Sequence, residues 1–260
     1  MNLASGEFRP LAGGPIRAAT PADTVVYVVG DIHGRCDLLA QIHDGIDRDS
    51  RYRAAGRRVL VYLGDYVSRG IDSQRVVEQV MGERPGGCAT VCLKGNHEDL
   101  LLRFLGGELE AGRHWFDYGG LDALAHYGVV AGVGRERDEG TLEALRQRFA
   151  RALPPGHLEF LRRLLVSHDE GGYHFVHAGV RPGVPLAEQS EYDRMWIRKR
   201  FLDSHLEHGA VVVHGHSISA RPQLRHNRIG IDTGAYASGV LTCLVLDGEA
   251  RGILQTERQA

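Results

Sequence analysis

The sequence predicts an α/β fold, a four-layer α/β/β/α sandwich in which two sheets pack face to face, helices cover the outside, and one helical insert interrupts the strands. Three observations predict it. First, an apolar β-branched run, a glycine-flanked turn and a helix-like stretch follow one another three times from residue 25, spaced by roughly 30 residues, the length of a βαβ unit. Second, residues 98–166 carry mainly helical patterns. Third, strand patterns resume at residue 173 and continue past residue 250. Strands at both ends with helices between and after them suit two packed sheets with outer helices.

The elements follow in order. Residues 1–22, rich in Gly, Pro and Ala, read as a flexible leader before a single domain over 23–260. Residues 25–29 form the first strand and 37–46 the first helix, with Leu38, Leu39, Ile42 and Ile46 at helical spacing. Residues 59–63 and 72–81 repeat the pair, the helix carrying Val76, Val77 and Val80, and 89–93 form the third strand. The insert, about 98–166, opens on Leu100, Leu101, Leu102, Phe104 and Leu105 and continues with helical patterns over 121–127, 142–153 and 158–165. Later strands are expected over 173–177, 210–214, 228–232, 240–246 and 251–254. No solenoid repeat or low-complexity tract breaks this order.

Composition narrows function by exclusion. A chain of 260 residues that is 43% hydrophobic can bury one sizeable core, so one domain is expected. A net charge of −2 leaves no basic field for nucleic acid. The sequence shows no basic-then-apolar leader and no membrane-length apolar run, so neither export nor a membrane partner is expected. Cys36, Cys88, Cys92 and Cys243 form no CxxC pair. The last three sit in apolar strand patterns and read as buried free thiols, which suits a cytoplasmic protein.

The chemistry gathers where the first three strands end, in Gly30-Asp31-Ile32-His33-Gly34, Gly64-Asp65-Tyr66-Val67-Ser68-Arg69-Gly70 and Gly95-Asn96-His97-Glu98. In open α/β sheets, ligands bind at the carboxyl ends of strands. Two Asp, two His and one Asn there are hard oxygen and imidazole donors suited to divalent metals. Asp31 and His33, at i and i+2 of an extended strand end, would point to one face and reach one cation.

These boxes resemble the GDxHG, GDxVDRG and GNHE signature of the calcineurin-like metallophosphoesterases, most closely the phosphoprotein phosphatase branch in its bacterial and phage form. His177-Ala178-Gly179, Gly215-His216-Ser217 and residues 231–235 (Ile-Asp-Thr-Gly-Ala) match further boxes, and the resemblance spans about 25–248. It implies the same sandwich and a site for two divalent ions, Mn2+ first, with Fe2+ or Zn2+ also compatible. Asp31 and His33 would hold the first ion, Asp65 would bridge both, and Asn96, His177 and His216 would hold the second. His214, two residues before His216, reads as a buried or supporting histidine on the same strand face. His97 would be the general acid that protonates the leaving oxygen. Arg69, with Arg198 as a second candidate, would bind phosphate oxygens. No Cys-x5-Arg loop exists to form a covalent phosphoenzyme.

The chain departs from the pattern at Ser68, where the family's DRG triplet has an Asp that pairs with the acid histidine. Glu98 or Asp72 could take its place. Some bacterial members and the symmetrical diadenosine tetraphosphatases share the departure, so two substrate classes stay open. The first is phosphoprotein Ser/Thr, extending to Tyr, the activity of a protein-serine/threonine phosphatase; the alternative is dinucleoside polyphosphates, as in the symmetrical diadenosine tetraphosphatases. A catalytically silent binding protein is a third reading, opposed by the complete ligand set. Asp232 reads as structural. Trp115 and Tyr118 read as core packing, with stacking on a nucleobase or phosphotyrosine as the alternative.

Overall fold

The computed structural model describes residues 7–11, 16–132 and 138–257. Strands and helices alternate first: β1 (Arg9–Pro10), β2 (Thr24–Val29), α1 (Cys36–Ser50), β3 (Arg57–Tyr62), α2 (Ser73–Gly82) and β4 (Ala89–Cys92). Five helices follow, α3 (Asn96–Leu105), α4 (Leu109–Phe116), α5 (Gly120–His126), α6 (Glu139–Ala152) and α7 (Pro155–Arg162). Next come β5 (Ser167–Glu170), β6 (Tyr173–Val176), α8 (Glu191–Trp196), α9 (Lys199–Leu202), β7 (Val211–His214) and β8 (Gln223–Leu224). The last elements are β9 (Arg228–Gly230), α10 (Ala235–Ser238), β10 (Thr242–Asp247) and β11 (Ala250–Gln255).

Two mixed sheets result, in the orders β1-β11-β10-β2-β3-β4 and β5-β6-β7-β9-β8. β2, β3 and β4 run parallel, as do β6, β7 and β9, so each set delivers its loops to one edge. Alternation along β2 divides the core. Val25, Tyr27 and Val29 face the cluster built with α1, α2 and the insert helices. Val26 and Val28 meet Tyr173, Phe175, Val211 and Val213 of the second sheet. On that sheet's other face, Val212 packs with Ile197 and Phe201, around α8 and α9. These three apolar layers separate the four layers that the sequence predicts. Burying one such side chain contributes about 1.5–3 kcal/mol, and because both faces of β2 are apolar, a one-residue slip would exchange them and turn Tyr27 towards the second sheet.

Two stretches differ from the sequence reading. Ser167–Glu170 is polar, so periodicity does not mark it, yet it pairs antiparallel with β6 at the sheet edge. Arg57 fixes it to the other sheet, donating from two nitrogens to the Glu170 carboxylate at 2.7 and 2.8 Å. The expected leader is in part built into the fold. Arg9 and Pro10 pair with Ile253 and Gly252, and Ala18 O accepts from Tyr173 Oη at 3.2 Å; residues 1–6 and 12–15 lie outside the described residues. Among the described residues no helix is long and apolar enough to cross a membrane. The four cysteines are free, with Cys88 and Cys243 buried.

Candidate active site

Six strand ends converge on one pocket. β2, β3 and β4 lead into Asp31, Asp65 and Asn96, and β6, β7 and β9 into His177, His216 and Asp232. All but the deeper His177 line a cavity of about 520 Å3, with His33, His97, Arg69 and Arg198. Strained turns bring them there. Among the described residues six non-glycines have positive φ, and five of these are His33, Asp65, Ser68, Arg69 and His216. That conformation costs an L-residue about 1–2 kcal/mol, and such strain collects at functional sites.

The loops are stapled to one another. β2 stops at Val29, so Asp31 and His33 converge through a turn in which His33 has φ 46°, and strand alternation is not the cause. Gly95 lets the third loop cross directly over the second, since a Cβ there would lie 2.1 Å from Asp65 Oδ1. The Glu98 carboxylate accepts the backbone N–H groups of Asp65, Tyr66, Val67 and Gly95 at 2.8, 2.9, 3.2 and 3.0 Å. Glu98 is thereby committed to holding the turn.

Asp65 sits at the centre of the donor atoms. Its Oδ2 lies 3.4 Å from His33 Nε2 and 3.9 Å from His97 Nε2, while its Oδ1 lies 3.5 Å from His177 Nε2. His33 Nδ1 donates to Val67 O at 3.0 Å and His177 Nδ1 to Leu63 O at 2.9 Å. Those bonds assign the tautomers and leave both Nε2 lone pairs facing inward, the arrangement of metal-binding histidines. Asn96 Oδ1 stands 3.0 Å from His177 Nε2, acceptor against acceptor. Two donor groups follow, His33–Asp65–His97 and Asp65–His177–His216, with Asp65 in both. Asp31 lies beside them, its carboxylate accepting His216 N–H at 3.0 and 3.2 Å.

The electrostatics fit cations. Burial holds the Asp31 carboxyl well above the usual carboxylate range, and repulsion from Asp232 and Asp65 adds to it. Burial likewise pushes Asp65 up to about 7. It depresses His33 to about 3, helped by Arg69, and His177 to about 4. His216 is pushed down as well, and its buried Nε2 has no hydrogen-bond partner among the described residues. Buried carboxylates packed against neutral imidazoles are costly without compensating charge. Divalent cations would supply that charge and use the orphaned lone pair. Oxygen and imidazole donors without a thiolate suit Mn2+, Fe2+ or Zn2+.

The remaining residues fall where their neighbours dictate. β7 ends at His214, and the chain turns at Gly215 and His216 (φ 60°), so the two histidines do not share a face. His214 packs edge-on against Phe201 at 5.1 Å, outside both donor groups. His216→Ala is therefore expected to reduce bound metal from about two ions per chain to nearer one, and His214→Ala to leave it unchanged; plasma emission on dialysed protein reads both. Arg69 places its guanidinium 4.3 Å from the Tyr236 ring centroid, with Nη1 3.1 Å from His33 Nε2. Arg198 is the residue before α9, not part of a helix face, and donates to His216 O at 3.2 Å.

Ser68 is fully buried, and its Oγ accepts the Trp115 indole N–H at 2.8 Å. Asp72 caps α2 through the Arg75 N–H at 2.8 Å. With Glu98 committed as well, neither alternative acid pairs with His97, whose buried Nδ1 has no partner among the described residues. Trp115 is core, as expected, whereas Tyr118 is 44% exposed at the pocket rim. Sequence reasoning undervalued Asp232, which lines the pocket two residues after β9, as Asp31 does after β2. It missed His114, Trp196 and Tyr236, which reach the pocket from three distant segments with no periodic signal.

Known proteins resemble the chain over most of its length. The asymmetrical bis(5'-nucleosyl)-tetraphosphatase PrpE of Anoxybacillus flavithermus is 25% identical over 236 residues, covering 84% of this chain and 88% of that one. Serine/threonine-protein phosphatase 2 of Salmonella typhimurium is 28% identical over 229 residues, covering 84% and 90%. A crystal structure provisionally named as a diadenosine tetraphosphatase shares the fold with a TM-score of 0.59 at 20% identity, covering 94% of this chain and all of that one. The profile of the calcineurin-like phosphoesterases matches residues 24–220. With the order of its strand-end boxes and its paired donor groups, the chain belongs to the calcineurin-like phosphoesterase family.

Proposed function

We propose that the chain hydrolyses phosphoric esters with the help of two divalent ions, and that its substrates are dinucleoside polyphosphates. One observation carries the choice of substrate: the pocket has an aromatic wall. Trp196 stacks with His114 and with Tyr192, at centroid distances of 5.4 and 6.1 Å and interplanar angles of 19° and 16°. Tyr118 meets His114 edge-on at 5.2 Å, and Trp196, His114, Tyr118 and Tyr236 all line the cavity. Planar rings beside a phosphate site suit a nucleoside, because base–aromatic stacking contributes about 1–3 kcal/mol per base. A phosphoserine or phosphothreonine side chain offers no planar group to such a wall, whereas a phosphotyrosine ring would, so a phosphotyrosine peptide belongs among the substrates compared.

The residues take these roles. Asp31, His33 and Asp65 would hold one ion, and Asp65, Asn96, His177 and His216 the other. Bound there, the ions would polarise the phosphate and lower the pKa of water. Arg69 binds non-bridging phosphate oxygens with its fixed fork of donors, steadied by the face of Tyr236 and by the Tyr118 carbonyl, which accepts from its Nε at 3.2 Å. Arg198 adds a second guanidinium at the mouth. His97 protonates the leaving oxygen.

A second reading, phosphoprotein phosphatase, is favoured by the similarity to the Salmonella enzyme. Kinetics with Mn2+ on diadenosine tetraphosphate, a phosphoserine peptide, a phosphotyrosine peptide and p-nitrophenyl phosphate separate the two. The highest kcat/KM is expected for diadenosine tetraphosphate. Trp196→Ala is expected to raise its KM about ten-fold while leaving p-nitrophenyl phosphate hydrolysis nearly unchanged. Preference for the phosphoserine peptide, together with a neutral Trp196→Ala, would favour the second reading, and so would preference for the phosphotyrosine peptide.

A further inference from the structure

We propose that Trp115, inside the helical insert, is a positioning residue that sets the phosphate-binding arginine through the hydroxyl of Ser68. The proposal rests on reading Arg69 as a phosphate clamp. Trp115 itself is fully buried and does not line the pocket.

The turn that carries Arg69 cannot hold its shape unaided. Ser68, Arg69 and Gly70 have φ of 73°, 60° and 46°, three left-handed residues in succession, two of them with a Cβ. Left-handed backbone is disfavoured for L-residues and persists only where surroundings over-determine it. Here the surroundings are largely the insert. Trp115 Nε1 donates to Ser68 Oγ at 2.8 Å, Arg69 N donates to Gly119 O at 3.3 Å, and Arg69 Nε donates to Tyr118 O at 3.2 Å. Ser68 N donates to Ser73 Oγ at 3.0 Å, and that hydroxyl meets His126 Nδ1, also at 3.0 Å. Trp115, Tyr118, Gly119 and His126 all lie in α4, α5 and the turn between them.

Two features show the fit between indole and turn. Gly119 has φ 92°, and a Cβ there would lie 2.8 Å from Arg69 Cγ, so the insert approaches the arginine as closely as backbone permits. Trp115 is fixed from behind by tilted contacts with Phe104, Phe116 and Phe149 at 6.2, 6.0 and 6.0 Å. A rigid indole N–H therefore meets a small hydroxyl at position 68. The departure from the family triplet is filled by a donor 47 residues away, and the next residue in the turn presents its guanidinium to the pocket.

Two conservative variants remove this one bond from opposite sides. Trp115→Phe keeps an aromatic ring and loses the N–H, while Ser68→Ala loses the acceptor. Each is to be made in the full chain and again with Arg69→Ala, and inorganic phosphate binding to the Mn2+-loaded protein measured by calorimetry. Each single variant is expected to weaken phosphate binding about ten-fold. For p-nitrophenyl phosphate, KM is expected to rise similarly with kcat held within about two-fold, since only a ground-state clamp is displaced. With Arg69 already removed, neither variant is expected to weaken phosphate further. Full phosphate affinity in folded, metal-loaded Ser68→Ala would overturn the proposal, and so would an equal ten-fold loss in the Arg69→Ala background. If Trp115→Phe fails to fold, Ser68→Ala decides alone. If no ester is turned over, the functional reading fails and the phosphate titration still decides this one.

Discussion

Asp65→Asn is expected to lower kcat by about a thousand-fold or more, which corresponds to ~4 kcal/mol of transition-state stabilisation. The reason is the division of labour within one carboxylate. Oδ2 faces His33 and His97, while Oδ1 faces His177 and also accepts the His97 backbone N–H at 3.1 Å. An amide offers one acceptor and no charge, so it cannot serve both donor groups. Turnover of p-nitrophenyl phosphate at saturating Mn2+ measures the loss, with plasma emission for metal content and circular dichroism for the fold. Asp31→Asn should fall in the same direction. Activity within ten-fold of wild type in a folded Asp65→Asn chain would mean that Asp65 is not shared.

His97→Ala is expected to separate substrates by their leaving groups. A phosphoserine alkoxide needs a proton as it departs, and losing a positioned acid costs about 10^2–10^4-fold. p-Nitrophenolate is stable unprotonated, so its release should slow by less than about ten-fold. Diadenosine tetraphosphate, whose leaving group is a nucleotide phosphate, should lie between. His97 lines the pocket with its ring edge-on to His33 at 4.6 Å; burial, then His33 and Arg69, push its pKa down, so the negative charge of an arriving phosphate is what would favour its acid form. Equal losses on all three substrates would show that His97 acts on the site's structure and not on the leaving oxygen.

Much of this site was legible because its residues occupy short boxes directly after strongly apolar strands. The β2, β3 and β4 runs announce themselves by β-branched composition, and the glycines beside Asp31, Asp65 and Asn96 mark the turns. What stayed hidden depends on distance or on polarity. β5 reads as a loop because Ser167, His168, Asp169 and Glu170 carry no apolar alternation; its place comes from pairing with β6 and from Arg57. Position 68 showed only a missing carboxylate, because the indole that answers it lies on α4. Spacing alone put His214 and His216 on one face. A positive φ at His216 parts them, and no local sequence cue announces a strained non-glycine. Glu98 looked like a spare acid beside His97, yet four backbone N–H groups claim it.

On this reading the buried carboxylates and imidazoles around Asp65 hold two divalent ions for phosphoester hydrolysis. The decisive measurement is turnover by the chain after exhaustive chelation, with residual metal measured in the same sample, followed by titration of Mn2+ back into it. Turnover is expected to vanish in the metal-free chain and to return in step with binding of about two ions per chain, the number that a two-metal site requires. Full turnover by a demonstrably metal-free chain would contradict it.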